Sequence, residues 1–271
     1  MSIIEAIEQR KSVRSYTGKP LNKEQVERIA HYIAGLKAPF GLNARIELIH
    51  THTGTTSVKL GTYGYIGGTS DFLTLICKPD YPLAKESAAY QFEQVILFCT
   101  GLGLGTCWLG GSFSRKDFGR QLQLNPKEKL IIVSPVGCIS DKKRFSEILV
   151  GAKKKHKSRK PFESLFFYKD FKTPLTKELA GIYLQALEMV RLAPSANNQQ
   201  SWRVVFDEKY LHFYQHLSPI GYTAIDLGIA LCHFEQTCSE LGMTGRFEVL
   251  NSASNVPISK GEQYSISWTA K

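Results

Sequence analysis

Apolar residues along this chain recur with two periods, and the two alternate. Between residues 84 and 100, Ala88, Ala89, Phe92, Val95, Ile96 and Cys99 fall at helical spacing, predicting a helix ended by the glycines of GLGLG. Residues 2–10 predict a short helix, with Ser2 and Glu5 spaced as a capping box. A longer one runs from about Lys23 to Leu36, with Asn22 as its N-cap. ARIELIH (44–50) and FLTLIC (72–77) are rich in β-branched and aromatic residues and predict strands. KLIIVSPVGCI (129–139) predicts a buried strand that ends in a turn marked by its proline and glycine.

The same order returns from residue 174. Pro20-Leu21-Asn22-Lys23-Glu24 reappears as Pro174-Leu175-Thr176-Lys177-Glu178, each opening a helix expected to end at an Ala-Pro pair, Ala38-Pro39 and Ala193-Pro194. A strand follows each time, RIELIH and then RVVF. Next come the helices FEQVILFCTGLGLGT and HFEQTCSELGMTG, in which Leu102-Gly103 corresponds to Leu241-Gly242. The second copy is shorter in its middle. Five elements in one order predict an internal duplication.

Composition narrows the class. With 271 residues, 43% hydrophobic and 21% charged, the chain has the proportions of a globular protein, with room for one large domain or two small ones. No apolar run reaches the roughly 20 residues that cross a bilayer. The opening MSIIEAIEQRKSVR is charged from Glu5 onward and lacks the apolar core of a signal peptide, so a cytoplasmic protein is expected. The six cysteines form no C-x-x-C pair and mostly sit in apolar runs, which predicts free buried thiols. His50 and His52 could bind a metal, but alternate residues of a strand give this spacing cheaply, and no metal is expected. The net charge of +10 is concentrated between Asp141 and Lys172, where eleven Lys and Arg face four Asp and Glu. That run reads as a solvated linker, a nucleic-acid tail or a small-anion site. It lacks the aromatic interleaving or recognisable module expected of a nucleic-acid binder.

Four motifs carry the chemistry. Arg10-Lys11-Ser12-Val13-Arg14 follows the first helix, and Gly103-Leu104-Gly105-Thr106-Cys107-Trp108-Leu109-Gly110-Gly111 follows the central one. Lys157-Ser158-Arg159-Lys160-Pro161 lies in the basic stretch, and Ala193-Pro194-Ser195-Ala196-Asn197-Asn198-Gln199-Gln200-Ser201-Trp202 closes the second-copy helix. GLGLG lacks G-x-G-x-x-G spacing and follows a helix, so it is not a dinucleotide fingerprint. Together the motifs resemble those of the FMN-dependent nitroreductase family over nearly the whole chain. The last is similar to A-P-S-x-x-N-x-Q-P-W, with Ser201 in place of the usual proline.

The resemblance implies an α+β fold, a nitroreductase-like sheet flanked by helices, internally duplicated to form an intrachain pseudo-dimer. The expected halves are residues 1–163, carrying the phosphate site, and 164–271, carrying the partner loop. It implies FMN contacts from Arg10, Lys11, Ser12, Arg14, Trp108, Leu109, Gly110, Gly111, Lys157 and Arg159, and from Pro194, Ser195, Ala196, Asn198 and Gln200. Lys11, Ser12, Lys157 and Arg159 would meet the phosphate, while Arg10 and Arg14 reach the ribityl and pyrimidine side. Guanidinium and ammonium groups suit such a dianion. In the family the P-S-x-x-N-x-Q loop comes from a partner subunit. Here the first copy reads Ala38-Pro39-Phe40-Gly41-Leu42-Asn43 at that position, and the second reads Ser164-Leu165-Phe166-Phe167-Tyr168 where the Arg10 motif would fall. One composite FMN site in a monomer is therefore expected.

Plainer readings stand beside these. Arg14 could form a surface salt bridge, Gly110-Gly111 a tight turn, and Asn198 with Gln200 a polar turn. The implied activity is hydride transfer from NAD(P)H through FMN to a small electron acceptor such as a nitro compound or quinone, with no nucleic acid or membrane as partner. The alternatives are a flavin-binding store or sensor without turnover, and a basic nucleic-acid-binding protein. No catalytic acid or base is singled out: Tyr63, Tyr65, Tyr90 and His50 are unranked polar candidates.

Overall fold

The computed structural model describes residues 1–40, 42–50, 52–53, 56–57, 61–141, 158–250 and 261–271. Two compact units divide the chain: Gln9–His156 with Met1, and Lys157–Lys271 with Ser2–Glu8. Helix α1 (Ile3–Gln9) thus falls almost wholly in the second unit, where the Ile3 N–H donates to the Glu240 carboxylate. Its capping box is formed: Glu5 N donates to Ser2 Oγ at 3.1 Å and Ser2 N to the Glu5 carboxylate at 2.8 Å.

The first unit contains α2 (Lys23–Ala34), β1 (Arg45–His50), β2 (His52–Thr53), β3 (Thr56–Ser57), β4 (Asp71–Cys77), α3 (Ala84–Gly101), β5 (Leu104–Thr106), α4 (Arg115–Leu122) and β6 (Lys129–Cys138). Asn22 caps α2 reciprocally with Gln25. The main sheet runs β1-β4-β6-β5 with every pair antiparallel. β4 is buried at every position, and α3 packs on it and on β5. The expected stripe of α3 is buried, but so is every residue from Glu86 to Glu93, so this helix is enclosed rather than amphipathic. Phe118 anchors the core edge-to-face between Phe72 (5.3 Å) and Phe113 (5.6 Å).

The turn expected at Pro135 is absent: β6 runs through it to Cys138. The pairings Thr106↔Val136 and Leu109↔Val133 put Cys107 opposite Pro135, where proline has no N–H to give. The Cys107 N–H donates to Ser134 Oγ at 3.0 Å, and that hydroxyl donates in turn to Pro135 O at 2.9 Å. The Ser134 hydroxyl thus bridges the two strands beside the proline, and the strand continues.

The second unit contains β7 (Phe166–Tyr168), α5 (Lys177–Ala180), α6 (Leu184–Leu192), β8 (Trp202–Phe206), β9 (Tyr210–His216), α7 (Thr223–Glu240), β10 (Gly245–Glu248) and β11 (Glu262–Ala270). Its sheet runs β10-β11-β9-β8-β7, antiparallel except that β7 lies parallel to β8. The single helix expected from Thr176 is broken at Gly181 and resumes as α6 after a tight turn. α7, like α3, is buried on most of its surface, and it packs on α6, β8 and β9. Phe234 meets Phe213 at 5.2 Å and Trp268 at 5.4 Å in the core.

Candidate functional site

In the first unit the Arg10 motif becomes an extended segment bonded into the sheet. Ser12 pairs with Thr106, and Val13 N donates to Thr106 O at 2.8 Å. Farther along, Thr17 N bonds Cys138 O, Ser140 N bonds Ser15 O, and Gly67 exchanges two backbone bonds with Arg14 and Tyr16. GLGLG makes this docking possible. Gly103 turns the chain out of α3 at φ +74, and a Cβ on Gly105 would stand 2.8 Å from Val13 Cγ1.

With Val13 inside, the segment presents its polar residues outward: Lys11 and Ser12 are exposed, while Arg10 and Arg14 are half-buried. Among the described residues none of these three cations has an ion-pair partner. The Arg10 Nε is buried and finds no hydrogen-bond partner among the described residues. Leaving a charged donor group unsatisfied costs several kcal/mol unless something else meets it.

The Trp108–Gly111 segment continues directly from β5. Leu109 exchanges backbone bonds with Val133 (2.9 and 3.1 Å) and is buried. Trp108 is half-buried, packs edge-to-face on Phe92 at 4.9 Å, and donates its indole N–H to the fully buried Glu93 at 2.8 Å. Gly110 O accepts from Arg115 Nη2 at 3.0 Å, and Gly111 is exposed. The sheet therefore brings the first and second motifs together.

The four polar candidates separate. Tyr90 is buried in α3. His50 is held by the buried Asp71 (Nδ1 to Oδ1, 2.5 Å). Register carries His50 through Asp71, Val136 and Thr106 to Ser12. Four strand spacings put those two ends about 19 Å apart. Tyr63 and Tyr65 are exposed on the loop that Gly67 ties to Arg14. The His52 side chain lies outside the described residues, as do Gly41 and Lys157.

In the second unit the third and fourth motifs interlock. Arg159 donates to Asn198 Oδ1 at 2.7 Å and to Leu192 O at 2.8 Å. Asn198 Nδ2 returns a bond to Ser158 O at 2.7 Å, and Lys160 N donates to Gln200 Oε1 at 2.8 Å. Two of the Arg159 donors are thus committed to the loop itself. The loop backbone is strained: Asn197, Asn198 and Gln200 all take left-handed conformations, at φ +50, +57 and +48. Asp226 of α7, missed by sequence reasoning, closes it. Its Oδ1 accepts from Ala196 N at 2.8 Å and its Oδ2 from Ser201 Oγ at 3.3 Å. The available signal was a lone acid in the apolar run TAIDLGIALC.

All six cysteines are free. Burial pushes the Cys77 thiol up to about 11 and those of Cys99 and Cys238 to about 12, so these three stay protonated and unreactive near neutrality.

A family model described as "Putative TM nitroreductase" matches residues 2–238. The chain belongs to this nitroreductase family. A putative nitroreductase from Thermotoga maritima shares 20% identity over 99% of this chain and 94% of its own, with a TM-score of 0.63. That likeness shows the fold, a mixed α+β architecture of nitroreductase type. A nitroreductase family protein from Clostridium novyi matches 52% of this chain and 87% of its own at 15% identity and TM-score 0.40. An FMN-dependent nitroreductase from Clostridium difficile matches 52% and 90% at 16% identity and TM-score 0.41. No curated protein matches. The nitroreductase match spans residues of both compact units. Among the described residues no helix is long and apolar enough to cross a membrane.

Proposed function

We propose that the chain is an FMN-dependent oxidoreductase that carries hydride from NAD(P)H to a small organic acceptor such as a nitro compound or quinone. The observation that carries this reading is the Arg10–Arg14 segment, where three cations without ion-pair partners among the described residues lie on an extended segment fixed by the sheet. The buried Arg10 Nε is oriented before any ligand arrives, and its missing partner fits an acceptor on that ligand. FMN, when bound, supplies the hydride-transferring centre, and the protein supplies binding, orientation and electrostatics. Lys11 and Ser12 offer an exposed ammonium and hydroxyl suited to a phosphate, and Arg10 and Arg14 the donors for the rest of the cofactor. Trp108–Gly111, pinned by Leu109 and by the Trp108–Glu93 bond, presents a rigid backbone edge to the ring. Pro194–Gln200 and Arg159 belong to this proposal as the ordered loop of the second unit.

Internal duplication, with repeats at 1–163 and 164–271, is part of the same reading, and the sheets support it. Matching β1, β4, β6 and β5 with β8, β9, β11 and β10 in turn gives the same neighbours in the same antiparallel sense. The helices agree as well: α3 ends on Leu102 at φ −84 and Gly103 at +74, and α7 on Leu241 at −82 and Gly242 at +78. Among the described residues β7 of the second unit and β2, β3 and α4 of the first have no counterpart.

Titrating apoprotein with FMN and with riboflavin, by quenching of flavin fluorescence, tests the cofactor and its stoichiometry. One equivalent of FMN per chain is expected. Lys11→Ala weakens FMN by at least about tenfold, or 1.4 kcal/mol, and leaves riboflavin unchanged, whereas Arg10→Ala weakens both. No binding of either flavin, or equal losses for both with Lys11→Ala, would refute the assignment.

A further inference from the structure

We propose that Asp226 is a positioning residue that holds the 195–201 loop closed while protonated and lets it open when it ionises. The geometry is a clamp. A single buried carboxyl, 3% exposed, takes the backbone N–H at one end of the loop and the Ser201 hydroxyl at the other. Between those two points lie Asn197, Asn198 and Gln200 in left-handed backbone. Such residues persist only where surrounding contacts impose them.

Protonated, the carboxyl keeps one oxygen as acceptor for Ala196 and can donate its own proton to Ser201 Oγ. Ionised, it accepts both bonds, but burial penalises its charge by more than those bonds offset. Opening the loop brings water to the carboxylate and releases the strained backbone at once.

The electrostatic surroundings agree. Burial raises the Asp226 carboxyl from its ordinary 3.8 to about 7, and the bonds from Ala196 and then Ser201 offset only part of that rise. Charged groups on the packed elements are committed elsewhere. In the loop region, Arg159 bonds Asn198 and Leu192, and Arg203 bonds the carbonyls of Gln200 and Trp202. On α6 Arg191 pairs with Glu188, on α7 His233 bonds Met189 O, and on β9 His216 pairs with Glu262. The Lys160 ammonium is held below its usual range by burial and by Arg203 and adds nothing to the Asp226 shift. The sign follows: the closed loop binds the proton more tightly than the open one, so opening becomes easier as pH rises from about 4 to about 7 and then levels off.

Hydrogen exchange over residues 194–202 of the purified full chain, corrected for intrinsic exchange, reads this directly. The opening constant should climb about tenfold per pH unit between pH 5 and 7 and flatten above. Asp226→Asn, which keeps an acceptor for Ala196 and a donor for Ser201, should stay closed and flat across the range. A flat wild-type profile, or the same rise in Asp226→Asn, overturns the proposal. Ser201→Ala serves if the first variant fails to fold: loss of its bond moves the levelling point to higher pH, and an unmoved point counts against the clamp. This readout needs no flavin, so it stands or falls separately from the proposed function.

Discussion

Two loops hold corresponding places in the two sheets, and they are secured by different chemistry. In the first unit, Leu42 O receives Ser87 Oγ at 3.0 Å and Gln91 Nε2 at 3.2 Å, while Ala44 N reaches Gln91 Oε1 at 3.3 Å. Every clamping group there is neutral. In the second unit the clamp is Asp226, which stands as far before Leu241 as Ser87 does before Leu102. None of the described residues of 38–43 takes a left-handed conformation, whereas three of 195–200 do. A neutral clamp gives a loop indifferent to pH. An ionisable clamp on a strained loop gives one that stores a response.

Exchanging the clamps should break this contrast most sharply. Ser87→Asp puts a carboxyl against the Leu42 carbonyl, which needs a donor. At pH 8 the buried charge should lower unfolding stability by about 3–5 kcal/mol. At pH 5 a protonated carboxyl can donate, and the loss should be smaller. Denaturant melts at the two pH values decide it, and equal losses would remove the electrostatic explanation.

Arg159→Ala should come next. It removes two charge-assisted bonds, to Asn198 and Leu192, each contributing about 1.5–3 kcal/mol. Measured by denaturant melts, a loss of about 2–4 kcal/mol is expected, with exchange rising first over 194–202. Protection there unchanged from wild type would show that Arg159 does not order the loop.

Asn197→Gly is the mildest change. Left-handed backbone costs a non-glycine residue roughly 1 kcal/mol, and glycine returns part of that as unfolded-chain entropy. A gain of about 0.5 kcal/mol by denaturant melt is expected, and a loss would show that Asn197 is not strained.

Local signals were legible wherever a few adjacent residues decide the outcome. The capping box at Ser2–Glu5 forms as the spacing predicts, Asn22 caps its helix, and Arg45–His50 is a strand. The outcome at Pro135 was not legible, because it depends on a long-range bond from Cys107 N–H to Ser134 Oγ that bridges the strands beside the proline. The stripe read from α3 was real but incomplete, since enclosure comes from packing rather than from periodicity. The motifs were legible as motifs. Their partners were not: Arg159 turned out to hold Asn198, and Glu93 to hold Trp108.

The sequence by itself determined the alternation of helices and strands, the ordered recurrence from Pro174 and the residue types able to meet an anionic cofactor. Each of these follows from short-range periodicity, capping and charge, which contiguous residues carry. Only the tertiary structure decided that Ser12 pairs with Thr106, that Arg10 Nε is buried without a partner among the described residues, and that Asp226 bonds both Ala196 and Ser201 of the 195–201 loop. Those facts depend on which distant groups share a low-dielectric interior, and the free energy of a buried polar group is set by its neighbours in space rather than along the chain.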